Sequence, residues 1–122
     1  MAEHLYTPEE ANALLPYLAP TLVELRDTFE DAALIRAEIA RNARGNGWTP
    51  TGEDQAHVLG RVAELLDRLK EWSVELRDIS TGLVDFPAEL EGEPAYLCWR
   101  LGEETVGHWH RPDEGFAGRH PL

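Results

Sequence analysis

The sequence predicts an α+β fold, a long antiparallel helical hairpin followed by a small antiparallel β-meander. Three observations lead there. Two long stretches carry apolar residues in alternating steps of three and four, the period of an amphipathic helix. A glycine-rich turn segment separates them, and after Thr81-Gly82 the helical period gives way to short apolar runs bounded by turn residues. At 122 residues the chain has the size of a single domain. We divide it into a helical hairpin over residues 7–80 and a meander with a C-terminal loop over residues 82–122.

The first helix opens at Thr7-Pro8-Glu9-Glu10. The Thr7 hydroxyl can accept from the Glu10 amide, Glu10 can reach back to the Thr7 amide, and Pro8 occupies a position that needs no amide. Pro16 and Pro20 each remove an interior hydrogen bond, so the spacing predicts a short helix over residues 8–14, a bend, and a longer helix beginning at one of these prolines. Leu15, Leu18, Leu22, Leu25, Phe29, Ala32 and Ile39 form its stripe. Leu34 and Ile35 fall off that stripe and suggest a second contact, with a homodimer as the expected partner. The helix is expected to end near Ala43, before Arg44-Gly45-Asn46-Gly47.

A second helix is expected from about Glu53, with Val58, Val62, Leu65, Leu69, Trp72, Leu76 and Ile79 on one face. Each helix would span about 40 Å at 1.5 Å per residue. Beyond Gly82, Leu83-Val84-Asp85-Phe86 reads as a short strand closed by Pro87. Residues 96–101 read as a second strand, and residues 105–110 as its hairpin partner.

Composition excludes several classes of function. With 23 acidic against 11 basic residues the net charge is −12, which repels nucleic acid and anionic membranes. The acidity lies mostly before residue 95; after it, Arg100, Arg111 and Arg119 nearly balance Glu103, Glu104, Asp113 and Glu114, so an anion is tolerable there. One cysteine makes no internal disulfide. No signal peptide and no membrane span are visible, so a cytoplasmic location is expected. Neither a Gly-x-Ser-x-Gly elbow, a phosphate-binding glycine loop nor a Cys-x-x-Cys pair occurs, which sets an enzymatic role behind a binding one.

Chemistry-bearing side chains gather between Asp85 and Arg119. In a strand, His108 and His110 project from one face about 7 Å apart. A three-residue connection would put Tyr96, Cys98 and Arg100 on that face; a two- or four-residue connection would put Leu97, Trp99 and Leu101 there. In the first register Cys98, His108 and His110, helped by Asp113 or Glu114, form a candidate site for zinc or iron. The alternative makes Cys98 a small buried hydrophobe. For a small non-metal ligand the candidate residues are Asp85, Arg100, His108, His110 and Arg119, whose guanidiniums suit a carboxylate or phosphate. The competing reading pairs the arginines with Asp85, Glu103 or Glu114, and a carboxylate within the apolar run at Asp85 calls for a buried arginine partner.

Several segments carry a resemblance over essentially the whole chain: Tyr6-Thr7-Pro8-Glu9-Glu10-Ala11-Asn12, Gly82-Leu83-Val84-Asp85-Phe86-Pro87, Leu97-Cys98-Trp99-Arg100-Leu101-Gly102-Glu103, Trp109-His110 and Gly115-Phe116-Ala117-Gly118-Arg119. Together they resemble the bacterial family known as domain of unknown function 2203. The resemblance implies a complete small bacterial protein and brings no activity or site residues with it. The expected function is a non-enzymatic module that binds a small ligand or metal ion at the meander, with assembly through the long helices as the alternative.

Overall fold

The computed structural model describes residues 4–42 and 52–122. Two helices, α1 (Pro8–Asn42) and α2 (Gly52–Glu71), precede five strands: β1 (Glu75–Asp78), β2 (Leu83–Leu90), β3 (Glu93–Arg100), β4 (His108–His110) and β5 (His120–Pro121). The strands form one antiparallel sheet in sequential order. The α+β class therefore holds, while the expected three strands become five. No described helix is long and apolar enough to cross a membrane.

The reciprocal cap forms at the start of α1: the Thr7 amide donates to Glu10 Oε1 at 3.0 Å and the Glu10 amide to Thr7 Oγ1 at 3.1 Å. The helix does not break at the prolines as predicted, and α1 runs on for 35 residues, about 52 Å of rise. Pro16 and Pro20 lie four residues apart, so the carbonyls they leave without a helical donor, those of Asn12 and Pro16, stack on one side. Both prolines are exposed, and water can satisfy what the helix cannot. The expected end near Ala43 and the turn that follows it lie outside the described residues.

Helix α2 is shorter than its apolar spacing suggested. It stops at Glu71, and Leu76 belongs to β1 instead of a last helical turn. The stop is a Schellman motif: the Val74 amide bonds the Leu69 carbonyl at 2.9 Å and the Ser73 amide the Lys70 carbonyl at 2.9 Å, with Ser73 in the left-handed region at φ 58°. Val74 and Leu69 are both buried and supply the hydrophobic contact that accompanies such a stop. α2 lies antiparallel to α1, with Arg61 clamping Glu24 through Nε and Nη2 at 2.5 and 2.7 Å.

Both helices cover one face of the sheet. Val84, Phe86 and Ala88 of β2 and Leu97 and Trp99 of β3 pack with Leu18, Leu22 and Leu25 of α1 and Leu65 and Leu69 of α2 in one buried core. The predicted stripes supply its centre, whereas Phe29 and Leu34, farther along α1, are 50% and 68% exposed. Pro87 does not close β2, since the strand continues to Leu90. It is tolerated because β1 pairs only as far as Asp85. On that uncovered side the Pro87 carbonyl accepts from the Tyr6 amide at 2.7 Å, and a missing proline N–H costs no ladder bond.

Two glycines at turns separate backbone strain from steric strain. Gly82 and Gly92 have φ of 67° and 79°. A Cβ on Gly82 would lie 2.5 Å from Leu101 Cγ, and one on Gly92 would meet nothing within 4 Å. Gly92→Ala is expected to cost about 1 kcal/mol from the positive φ alone. Gly82→Ala should cost clearly more, because Leu101 must also move; urea melts giving equal losses for the two variants would contradict this account.

Candidate functional site

The β3–β4 pairing sets the chemistry of the second sheet face. Tyr96 lies opposite His110 and Cys98 opposite His108. This is the register that puts Cys98 with the histidines and sends Leu97 and Trp109 to the core. Asp85 joins them from β2, directly opposite Cys98. The connection before β4 is longer than a tight hairpin. It is anchored by the Trp99 indole N–H donating to the Glu103 carbonyl at 3.1 Å and the Val106 amide to Asn12 Oδ1 at 2.8 Å.

Asp85, Cys98 and His110 are all buried, and one ligand atom from each lies within 4.8 Å of the other two. Among the described residues this is the one group of histidine, cysteine and carboxylate side chains so placed. Asp85 is held on both oxygens: Oδ1 faces His110 Nε2 at 2.9 Å, and Oδ2 accepts from Arg77 Nε at 2.8 Å. The arginine partner of Asp85 is thus Arg77 of β1, and not Arg100 or Arg119; only the carboxylate of the pair is buried, since the Arg77 side chain is 42% exposed. Arg77 also stacks 5.1 Å from the centre of the Tyr96 ring.

His110 has an acceptor at each end. Nδ1 lies 2.8 Å from the Arg111 carbonyl and Nε2 2.9 Å from Asp85 Oδ1, so both ring nitrogens are engaged. Cys98 is held differently: burial first, and then the Asp85 charge, push its thiol up to about 11. A thiol so raised is protonated at neutral pH, and neither ring nitrogen of His110 is free to take its proton. The arrangement is therefore not a cysteine–histidine nucleophile pair.

The cluster forms the floor of a pocket of about 260 Å³, walled by Arg77 and Leu83 from the sheet and by Pro112, Glu114, Gly115 and Phe116 from the segment after β4. Glu114 lines this pocket outside the three-residue group. Its Oε1 accepts from the Arg111 amide at 2.9 Å and lies 3.2 Å from His120 Nε2. The Arg111 amide bond, followed by His120, holds its carboxyl below the usual range.

The other candidate residues form a neighbouring cluster. Arg119 donates to Glu103 Oε2 at 2.6 Å and contacts His108 Nδ1 at 2.5 Å, and the Arg100 and Arg119 guanidiniums lie 5.3 and 4.6 Å from the Phe116 ring centre. His108 is therefore drawn to Arg119 and Glu103 and away from His110. The expected set of Cys98, His108, His110 and Glu114 is not assembled, and Asp85 takes its place beside Cys98 and His110. Arg77 was missed because it stands in the stretch whose apolar period reads as helix. Its one sequence signal was the need of Asp85 for a cation.

Removing the carboxylate would leave the His110 N–H and the Arg77 guanidinium without their shared acceptor. Asp85→Ala is expected to cost about 3–5 kcal/mol in denaturant unfolding, the range for breaking a buried ion pair. A loss below about 1 kcal/mol, the level of an exposed pair, would show that the network is not held as described.

Neither a curated protein nor a solved structure matches the chain. The model of the family described as "Uncharacterized conserved protein (DUF2203)" matches residues 4–122, and the chain belongs to that family.

Proposed function

We propose that this protein is a metal-binding module whose site is Asp85, Cys98 and His110. The observation that carries the reading is the convergence of a carboxylate, a thiol and an imidazole from three adjacent strands, buried at the floor of a pocket. Oxygen, sulfur and nitrogen donors together suit a borderline ion such as zinc or iron(II). The outer shell has the form such a site requires. A ligating histidine ordinarily donates its other N–H to a carbonyl or carboxylate, and His110 Nδ1 meets the Arg111 carbonyl. Arg77 on Asp85 Oδ2 leaves Oδ1 turned toward His110 and orients the carboxylate.

The hydrogen-bonded state and the loaded state compete. An ion enters by displacing the proton between His110 and Asp85 and the proton of the Cys98 thiol. A coordinating cation deprotonates a thiol outright, so burial of Cys98 does not prevent ligation.

Cobalt(II) reports on such a site directly. Purified metal-free protein should take up one equivalent and develop a near-ultraviolet thiolate charge-transfer band. Cys98→Ser should abolish that band, and His110→Ala should abolish uptake. Failure of the full chain to bind cobalt or zinc at micromolar concentration would sink the proposal.

A second reading, assembly through the long helices as a homodimer, is favoured by one feature. Ala32 and Ile35 of α1 and Val58 and Leu59 of α2 line a groove completed by Arg36 and Gln55, with Leu59 and nearby Leu34 60% and 68% exposed. On this reading light scattering gives a dimer at about 50 μM, and Leu59→Glu converts it to a monomer, since a charge buried without a partner is strongly unfavourable. A monomeric wild-type chain at that concentration would remove the reading.

A further inference from the structure

The three donors approach from the sheet, so one side of the proposed ion faces the pocket. Glu114 does not close that side. It stands outside the three-residue group, and its carboxylate is engaged by the Arg111 amide and His120. A tetrahedral centre with three protein ligands keeps its fourth position for water or an exogenous molecule. The walls of the pocket then indicate what that molecule is.

Arg77 carries the argument. Its Nε is used on Asp85 Oδ2, while the side chain as a whole remains 42% exposed and lines the pocket. A guanidinium presents five N–H groups in a fixed fork, so the bond to Asp85 and the contact of Nη2 with Glu75 Oε1 at 3.4 Å still leave donors for another acceptor. Stacking on the Tyr96 ring fixes its plane. Leu83, Pro112 and Phe116 add apolar surface, which strengthens charge-assisted bonds made beside them. Ligated Asp85 and Cys98 neutralise a divalent ion between them, so the ion itself adds no net charge that would exclude an anion.

Resting on the metal reading, we propose that the loaded site takes a small oxyanion, a carboxylate or a phosphate group, with one oxygen on the ion and another on the Arg77 guanidinium. Glu114 opposes this ligand by charge, and so limits how tightly it is held.

The test uses the cobalt(II)-loaded full chain, titrated separately with acetate and with inorganic phosphate while the visible absorption is followed. A saturable shift of the cobalt bands is expected with at least one of them; acetate alone identifies a carboxylate ligand, and phosphate alone a phosphate. Arg77→Gln should weaken that binding about ten-fold or more, and Arg77→Lys, which keeps the charge but not the fork, should fall between. Glu114→Gln, whose carbonyl can still accept from the Arg111 amide, should tighten it about three-fold by removing a like charge. Retention of the thiolate charge-transfer band shows that each variant is folded and loaded. Cobalt that binds while its spectrum ignores both anions, or anion binding indifferent to Arg77→Gln in loaded protein, overturns this inference and leaves the metal reading standing. Absence of cobalt binding overturns both.

Discussion

The alternation of side chains across the sheet is the constraint on which the rest depends. Because the period is two, the pairing of Leu97 with Trp109 fixes everything around it. Odd positions of β3 go to the helices, and Tyr96, Cys98 and Arg100 go to the opposite face. A slip of one residue would place Trp99 in the pocket and Cys98 under the helices. What holds the register is burial. Leu97, Phe86 and Val84 are fully enclosed by Leu18, Leu22, Leu25 and Leu65, and exposing a set of that size costs several kcal/mol at about 1.5–3 per side chain. The polar face is thus a product of the apolar one.

That dependence explains which parts were legible in sequence. Thr7 through Glu10 announced a helix start because the cap is local: its partners are three residues apart and need nothing else folded. The centre of both stripes was legible for the same reason. The end of α2 was not. Trp72, Leu76 and Ile79 continue a helical spacing, yet Ser73 turns into the left-handed region, a conformation for which serine gives little signal compared with glycine. The strand that follows carries Leu76 inward by alternation, so period alone did not separate the two states. Pro16 and Pro20 misled in the opposite direction, because their cost depends on exposure, which a sequence does not display.

The site was legible as a neighbourhood but not as a set. Cys98 and His110 were singled out, and Asp85 was marked as a carboxylate in need of a cation. That these three share one cluster follows from β2 and β4 both flanking β3, which is a property of strand order. His108 was grouped with His110 on spacing, and local charge separates them: Arg119 and Glu103 draw one imidazole, Asp85 and the Arg111 carbonyl the other.

A buried carboxylate engaged on both oxygens, by His110 and by Arg77, is an expensive way to close a sheet face, since apolar residues of similar volume often do as well or better. The cluster makes physical sense as a site that can exchange. In the hydrogen-bonded state one proton lies in the bond between His110 Nε2 and Asp85 Oδ1, and another on the Cys98 thiol. Replacing these two protons by a divalent ion leaves the total charge of the group unchanged. The dominant cost of placing an ion in a protein interior is creation of net buried charge, and here none is created. Between His110 Nε2 and Asp85 Oδ1, now 2.9 Å apart, the gap would open by a few tenths of an ångström, since two donors each about 2.0–2.1 Å from a tetrahedral ion stand about 3.3 Å apart. On the proposed metal reading, a network already balanced by protons, with an acceptor on His110 Nδ1 and a guanidinium on Asp85 Oδ2, would take the ion without a change of net charge.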